Sequence, residues 1–450
     1  MNKNNDLSEK KKLVISLYNN NKLEEAKNVF IEILKVEPNN KNILNNLGVL
    51  FNQLGEFFKA KNYLERAVEI DPDYIEPYNN LGVAFQGLDQ QQKAINCFEK
   101  AIELKPDHVE AHNNLGGSFL ALGDTQKAIN YFEKAIELRP DYDEGYYNLG
   151  KIYYELGEDQ KAKNSYEKVI ELKPDHVEAH NNLGGSFLAL GDTQKAINYF
   201  EKAIELRPDY DEGYYNLGKI YYELGEDQKA KNSYEKVIEL KPDHVEAHNN
   251  LGRVSLILGD PQKSINYFEK VIELKPDYDE AHHNLGRVFF SLGKFHKAKS
   301  CYEKAIELSP NFLHAYYDHA TTHYELKEYV EAKKCYEKVI ELKPDFLNAY
   351  YDLATTHYAL KEYVEAKKCY EKAIELKPDH VEAHNNLGGT FLLLGEYQTA
   401  INYFEKVIKM DPNHKGALHN LKNPLLKSEI LNNTNNDVEN FIKKDPKKNR

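Results

Sequence analysis

The fold is decided by a 34-residue segment that recurs along the chain. One copy, residues 109–142, reads VEAHNNLGGSFLALGDTQKAINYFEKAIELRPDY. Its first part places His112, Leu115, Gly116 and Phe119 at positions 4, 7, 8 and 11, the spacing of one helix face. Gly123 is expected to end that helix, and Pro140 to end the amphipathic stretch that follows it. The segment therefore predicts two helices joined by a short turn.

Prolines mark the repetition. A proline stands at position 32 of every unit, and the twelve units run without a gap from 7–40 to 381–414. A fixed period of this length indicates stacked helical hairpins, each of which buries its apolar face against its neighbours. The prolines are Pro38, Pro72, Pro106, Pro140, Pro174, Pro208, Pro242, Pro276, Pro310, Pro344, Pro378 and Pro412.

Two local features are expected to shape each unit. Asp107 and Glu110 form an Asp-x-x-Glu box, which predicts reciprocal capping of the first helix. Gly116 has no side chain, which predicts close approach of the second helix. The box recurs at Asp141/Glu144, Asp175/Glu178 and Asp379/Glu382.

This pattern resembles that of tetratricopeptide repeats, over about nine tenths of the chain. The resemblance implies an all-α fold: a right-handed α-solenoid of twelve 34-residue helix-turn-helix repeats plus a C-terminal capping helix. We expect an N-terminal extension at 1–6, the solenoid at 7–414 with a divergent first repeat as its cap, a capping helix at 415–431 and a basic, disordered tail at 432–450.

Composition excludes several classes of function. The formal net charge of −13 argues against a nucleic-acid binder, and no stretch approaches the roughly 18 apolar residues that span a bilayer. The first twenty residues are rich in Lys and Asn and do not resemble a signal peptide. The cysteines stand one or more repeats apart, too far for disulfides. We therefore expect a cytoplasmic protein with four free thiols, at Cys97, Cys301, Cys335 and Cys369.

Position 6 of the first helices carries a column of asparagines on the side that the resemblance makes the concave groove. An amide has one acceptor and two donors, so it can bracket the backbone of an extended peptide. The column resembles the asparagine ladder in the repeat region of O-linked N-acetylglucosamine transferase, where the ladder holds substrate backbones. The same amides would also suffice to bond neighbouring helices, and both interpretations stay open. The column comprises Asn46, Asn80, Asn114, Asn148, Asn182, Asn216, Asn250, Asn284 and Asn386.

Positions 5, 9 and 12 alternate with a period of two repeats. Residues 102–184 and 170–252 are identical, so Tyr–Lys patches recur between smoother apolar ones. Tyrosine is a common hot-spot residue, and the pattern predicts an extended polypeptide ligand with apolar and acidic groups. The remaining predicted groove residues are Tyr147, Lys151, Tyr154, Tyr215, Lys219, Tyr222, Arg253 and Arg287.

The sequence contains a pattern with metal-ligand spacing. His319 and His323 have the spacing of two ligands on one helix face, but Leu353 replaces the first of them in the nearly identical next repeat. We therefore expect both histidines to pack in the core, with no metal and no cofactor bound. Each titratable residue has many equivalents in other repeats, so we expect no catalytic residue and no enzyme activity.

The sequence thus predicts a non-catalytic scaffold that binds an extended protein or peptide in the concave groove of a superhelix. Two alternatives remain. One is an accessory or truncated substrate-recruiting region of a glycosyltransferase, because similar arrays precede the catalytic domain of such enzymes. The other is a self-associating solenoid, with weak end-to-end contact between terminal faces. Neither nucleic acid nor membrane is an expected partner.

Overall fold

The computed structural model describes residues 3–423 and Leu426, and 25 helices follow one another in this part of the chain, with no strand among them. They alternate as first and second helices of successive hairpins. The first helices are α1 (Lys3–Asn19), α3 (Lys41–Gln53), α5 (Ile75–Gly87), α7 (Val109–Ala121), α9 (Asp143–Glu155), α11 (Val177–Ala189), α13 (Asp211–Glu223), α15 (Val245–Ile257), α17 (Asp279–Ser291), α19 (Leu313–Glu325), α21 (Leu347–Ala359), α23 (Val381–Leu393) and α25 (Lys415–Asn420). The second helices are α2 (Leu23–Val36), α4 (Phe57–Ile70), α6 (Gln91–Leu104), α8 (Thr125–Leu138), α10 (Asp159–Leu172), α12 (Thr193–Leu206), α14 (Asp227–Leu240), α16 (Pro261–Leu274), α18 (Phe295–Leu308), α20 (Tyr329–Leu342), α22 (Tyr363–Leu376) and α24 (Tyr397–Met410).

The chain divides into two compact units, Met1–Ile220 and Tyr221–Arg450. In each unit the two helices of a repeat pack together, and the second helix also packs against the first helix of the next repeat. First helices of successive repeats contact one another too, as α9 and α11 do in the first unit and α17 and α19 in the second. The first helices of neighbouring repeats therefore form a shared surface within each unit.

The glycine at position 8 brings the two helices of a hairpin close together, as predicted. A Cβ atom on Gly116 would lie 2.9 Å from the Phe132 ring, which fills the space that the glycine leaves. Phe132 is 1% exposed, and Ala128 and Ala135 beside it are fully buried. Small residues on one helix thus accommodate a large aromatic residue from the other.

The turn between the helices needs a left-handed residue at position 15. Gly123 has a φ of +80°, which glycine adopts without steric cost. Asp89, Lys327 and Lys361 stand at the same position and take φ values of 58° to 62°. Packing of the two helices therefore imposes this conformation even on residues with a Cβ atom.

The predicted capping box is wrong. The N-cap of α7 is His108, whose Nδ1 accepts a hydrogen bond from the Ala111 N–H at 3.3 Å. Asp107 lies one residue too early, because the turn after the proline delays the start of the helix to Val109. His176 and His380 cap α11 and α23 in the same way, whereas α9 begins after Tyr142 without a side-chain cap.

At the ends, α1 begins at Lys3, and α25 is a short helix of six residues. Leu421 and Leu426 are buried against the last hairpin. Most of the predicted capping helix beyond Asn423, and the predicted tail at 432–450, lie outside the described residues. The helices within the described residues are all too short or too polar to cross a membrane.

Candidate protein-binding surface

The asparagine column forms hydrogen bonds between repeats. In the first unit, Nδ2 of a position-6 asparagine donates to the position-5 side chain of the preceding repeat, 35 residues earlier. The acceptors Asn45 and Asn113 are 6% and 4% exposed, so the bonds to these two residues satisfy buried oxygens. The bonds are Asn80 to Asn45 (2.9 Å), Asn114 to Asn79 (3.0 Å), Asn148 to Asn113 (3.0 Å) and Asn216 to Asn181 (3.0 Å).

Where position 5 is tyrosine, the ladder continues through a hydroxyl group. Asn182 donates to the Tyr147 hydroxyl at 3.3 Å, and Asn386 donates to that of Tyr351 at 2.9 Å. Burial raises the pKa of Tyr147, whose ring stacks on His176 at 5.0 Å between centroids. The Tyr147 hydroxyl thus serves as the acceptor that an asparagine oxygen provides in other repeats.

The second unit contains acidic members of the same ladder. Asn284 donates to Asn249 at 3.4 Å, His283 bonds Asp318 at 2.8 Å, and the Tyr317 hydroxyl donates to Asp352 at 2.6 Å. Burial raises the pKa of Asp352, and the bond from Tyr317 opposes that shift.

Two members of the column differ in their exposure. Asn250 is half-buried, and Asn46 is exposed beside an apolar cleft formed with α1. The asparagines elsewhere bond neighbouring helices, which was one of the two interpretations from sequence. Each such bond uses one of the two donors that an amide offers.

A hollow in the first unit brings five of the predicted residues together. It has a volume of about 290 Å³ and lies across α9, α11 and α13, with the rings of Tyr166 and Phe200 at its floor. The predicted residues that line it are Lys151, Tyr154, Asn182, Asn216 and Lys219.

Tyr154 is the most exposed aromatic residue of the hollow, at 45%. A Cβ atom on Gly185, in the next repeat, would lie 3.4 Å from the Tyr154 hydroxyl. Glycine at this position therefore leaves the edge of the tyrosine ring open.

Two acidic residues of the hollow were missed from sequence. Glu155 and Glu212 line it together with the exposed lysines, so the walls carry both signs of charge. Glu212 is held by the Tyr210 hydroxyl, which donates to its carboxylate at 2.7 Å. Glu212 stands at position 2, where the sequence predicts only a capping role for glutamate, and Glu155 stands at position 13.

The equivalent tyrosine of the second unit is covered. Nη2 of Arg253 donates to the Tyr222 hydroxyl at 3.0 Å, and its guanidinium lies 4.8 Å from the ring centroid. Arg287, also predicted, is exposed and lies 4.0 Å from the Asp318 carboxylate at the edge of a separate hollow of about 240 Å³. The remaining predicted residue, Tyr215, is half-buried.

Family models for the tetratricopeptide repeat match the sequence from residue 41 to residue 413 without a gap. One matches 41–107 and 345–413, and a TPR repeat model matches 116–157, 150–191, 184–225 and 218–259. Further tetratricopeptide repeat models match 97–130, 245–278, 279–312 and 313–346.

Several solved structures are similar to parts of this chain or to most of it. The MamA protein is 29% identical, with 38% of this chain and 92% of that chain covered and a TM-score of 0.33. YrrB, described as a TPR protein with an unusual peptide-binding site, is 24% identical, covering 41% and 96%, with a TM-score of 0.36. The APC/C hetero-tetramer Cut9–Hcn1 is 13% identical, covering 92% and 94%, with a TM-score of 0.44. No curated protein sequence matches this chain.

Proposed function

This chain belongs to the tetratricopeptide repeat family, and from that premise we propose that it is a non-catalytic, cytoplasmic scaffold that binds an extended segment of a partner protein along its first helices. The family supports a protein-interaction role. The location and shape of the ligand rest on the surface described above. The proposed cytoplasmic location is supported by the four cysteines, which are free and half-buried thiols, because free thiols persist in a reducing compartment.

The hollow at Tyr154 is the observation that carries this proposal. An exposed tyrosine offers a large flat contact with few rotatable bonds, and it lies above a buried aromatic floor. Lys151 and Lys219 are exposed beside it and would attract a carboxylate of the ligand. The carboxylate of Glu212, which shares the hollow, is already bonded by the Tyr210 hydroxyl. The hollow therefore fits an apolar side chain with an acidic neighbour.

The amides favour an extended ligand over a helical one. Asn182 and Asn216 both line the hollow, one repeat apart, and each uses one donor within the ladder. A helical ligand satisfies its own backbone groups, whereas an extended one presents free N–H and C=O groups. The remaining amide donors would bond those carbonyl groups without selecting a sequence.

A random-peptide display library selected on the 1–450 chain tests the proposal. We expect enriched peptides with an apolar residue near an acidic one. The triple variant Lys151→Ala/Tyr154→Ala/Lys219→Ala should bind them at least about 30-fold more weakly, the loss of one hot spot. Fluorescence anisotropy measures the affinity, and circular dichroism verifies the fold.

Tyr222→Ala is the matched control, because Tyr222 lies in a repeat of identical sequence but under Arg253. It should leave the affinity within about two-fold of the unchanged chain, as expected for a residue outside the contact. Selected peptides whose affinity is the same for the unchanged chain and the triple variant would show that the hollow is not the binding site.

A further inference from the structure

Two histidines and a cysteine meet inside one hairpin of the second unit. His319 and His323 lie one turn apart on α19, with ring centroids 4.3 Å apart, and Cys335 faces them from α20. One ring nitrogen of each histidine and Sγ of the cysteine lie within 4.8 Å of one another. Both histidines are buried, at 8% and 4% exposure.

These donors suit a tetrahedral transition-metal ion. Nδ1 of His319 lies 3.8 Å from Sγ of Cys335. Zn²⁺ binds nitrogen at about 2.1 Å and sulfur at about 2.3 Å, which places neighbouring tetrahedral ligands about 3.5 Å apart. Small side-chain rotations would therefore complete the coordination, and a thiolate with two imidazoles favours Zn²⁺ over Mg²⁺ or Ca²⁺.

Glu328 holds His323 in the orientation of a metal ligand. Nδ1 of His323 lies 2.6 Å from Oε2 of Glu328, and the same carboxylate pairs with Lys299 at 2.8 Å. A carboxylate on one imidazole nitrogen leaves the other nitrogen unprotonated and able to bind a metal. Carboxylate–histidine pairs of this kind are common around zinc.

His319 has an unexplained nitrogen. Its Nε2 is buried and has no hydrogen-bond partner among the described residues. The nearest carboxylate, that of Glu303, is 3.9 Å away. Coordination through Nδ1 would make Nε2 a donor toward Glu303, in the same arrangement as His323 with Glu328.

The next repeat provides an internal control. His357 is bound to Glu362 at 2.6 Å as His323 is to Glu328, and Cys369 corresponds to Cys335. Leu353, however, occupies the place of His319. In the sequence alone, this leucine is a sign that the histidines only pack in the core. The structure adds Cys335 and Glu328 to the histidines, so the two hairpins differ by one possible metal ligand.

We propose that His319, His323 and Cys335 bind one Zn²⁺ ion, with water as the fourth ligand and Glu328 as a positioning residue. The thiol proton of Cys335 passes to solvent as the sulfur–zinc bond forms, since the thiolate is the ligand. The ion links α19 to α20 and stabilises this hairpin. The site is independent of the peptide-binding hollow.

Cobalt titration of the untagged, reduced chain tests the site, because Co²⁺ substitutes for Zn²⁺ and a Co²⁺–thiolate bond absorbs in the near ultraviolet. We expect the chain to bind one equivalent of Co²⁺ with this absorption band, and we expect Zn²⁺ to displace the Co²⁺ and remove the band. Cys335→Ser and His319→Leu should abolish the band, whereas Cys369→Ser should retain it. Glu328→Gln should weaken binding by about 10- to 100-fold.

Leu353→His completes the second hairpin and should raise the stoichiometry from one to two. His319→Leu should still fold, because the corresponding position of the next hairpin already holds leucine, Leu353, and circular dichroism verifies the fold. Absence of the thiolate band in the unchanged chain, or its persistence in Cys335→Ser or His319→Leu, overturns the proposal.

Discussion

Tyr154 and Tyr222 occupy the same place in two repeats of identical sequence, but only Tyr154 faces an open hollow. Residues 143–184 and 211–252 are the same, and the first difference follows at once, as Gly185 in one and Arg253 in the other. Tyr154 is 45% exposed beside the glycine, whereas the arginine bonds the Tyr222 hydroxyl at 3.0 Å.

The difference shows that the binding surface of a repeat is decided by its neighbour. First helices of successive repeats lie side by side, so position 12 of one repeat faces position 9 of the next. A side chain at position 9 therefore either covers the preceding tyrosine or leaves it open. A change of binding specificity at one repeat should therefore require substitutions in that repeat and in the repeat that follows it.

Exchanging the two position-9 residues should have the largest effect. Gly185→Arg would cover Tyr154 as Arg253 covers Tyr222, so selected peptides should lose about 2–4 kcal/mol of binding free energy, the range of a hot spot. Arg253→Gly should create a second site and raise the stoichiometry measured by calorimetry. Unchanged affinity in Gly185→Arg would refute the comparison.

Removing single ladder amides should show which of them contribute to the stability of the fold and which contribute to peptide binding. Asn148→Ala would leave the buried Asn113 oxygen without its donor and should lower the free energy of unfolding by about 1–3 kcal/mol. Asn182→Ala should cost less stability, since its 3.3 Å bond is to a half-buried tyrosine, but should weaken peptide binding more. Urea denaturation and anisotropy measure the two effects; equal losses of binding would contradict a ligand role for Asn182.

Removing the side chain that covers Tyr222 should slightly lower the free energy of unfolding of the second unit. Arg253→Ala loses one hydrogen bond and one cation–π contact, together about 1 kcal/mol. Lys219→Ala, an exposed position 9 in the first unit, is the control and should leave the urea midpoint nearly unchanged. Equal shifts in both variants would mean that the Arg253–Tyr222 contact contributes nothing.

The smallest effect we expect is on pH dependence. His180, in the helix that carries Gly185, bonds the Pro174 carbonyl at 2.9 Å, and burial lowers its pKa below 6.5. Below pH 6.5 the unfolded chain binds the proton more readily, so the free energy of unfolding falls as the pH decreases. Tyrosine stands at this position in the repeats of Tyr154 and Tyr222, so His180→Tyr should reduce the fall in urea midpoint between pH 7 and 5. An identical fall in the variant would rule out His180 as a contributor.

Much of the fold was predictable because it depends on local periodicity. The spacing of apolar residues places both helices of each hairpin, and the glycines at positions 8 and 15 have the close contact and positive φ expected of them. The first-helix surface was predictable for the same reason, since residues three and four apart share a helix face. The cap of α7 was wrongly assigned, because His108 rather than Asp107 accepts the hydrogen bond from its first turn.

The sequence by itself determined the repeat, the two helices of each unit and the face on which variation accumulates. Only the tertiary structure decided which residues meet across helices: Asn148 with Asn113, Arg253 with Tyr222, and Cys335 with His319. The reason is that a 34-residue period places helices but leaves the choice of side-chain rotamers to packing. Two tyrosines with identical flanking sequence consequently end in different surroundings.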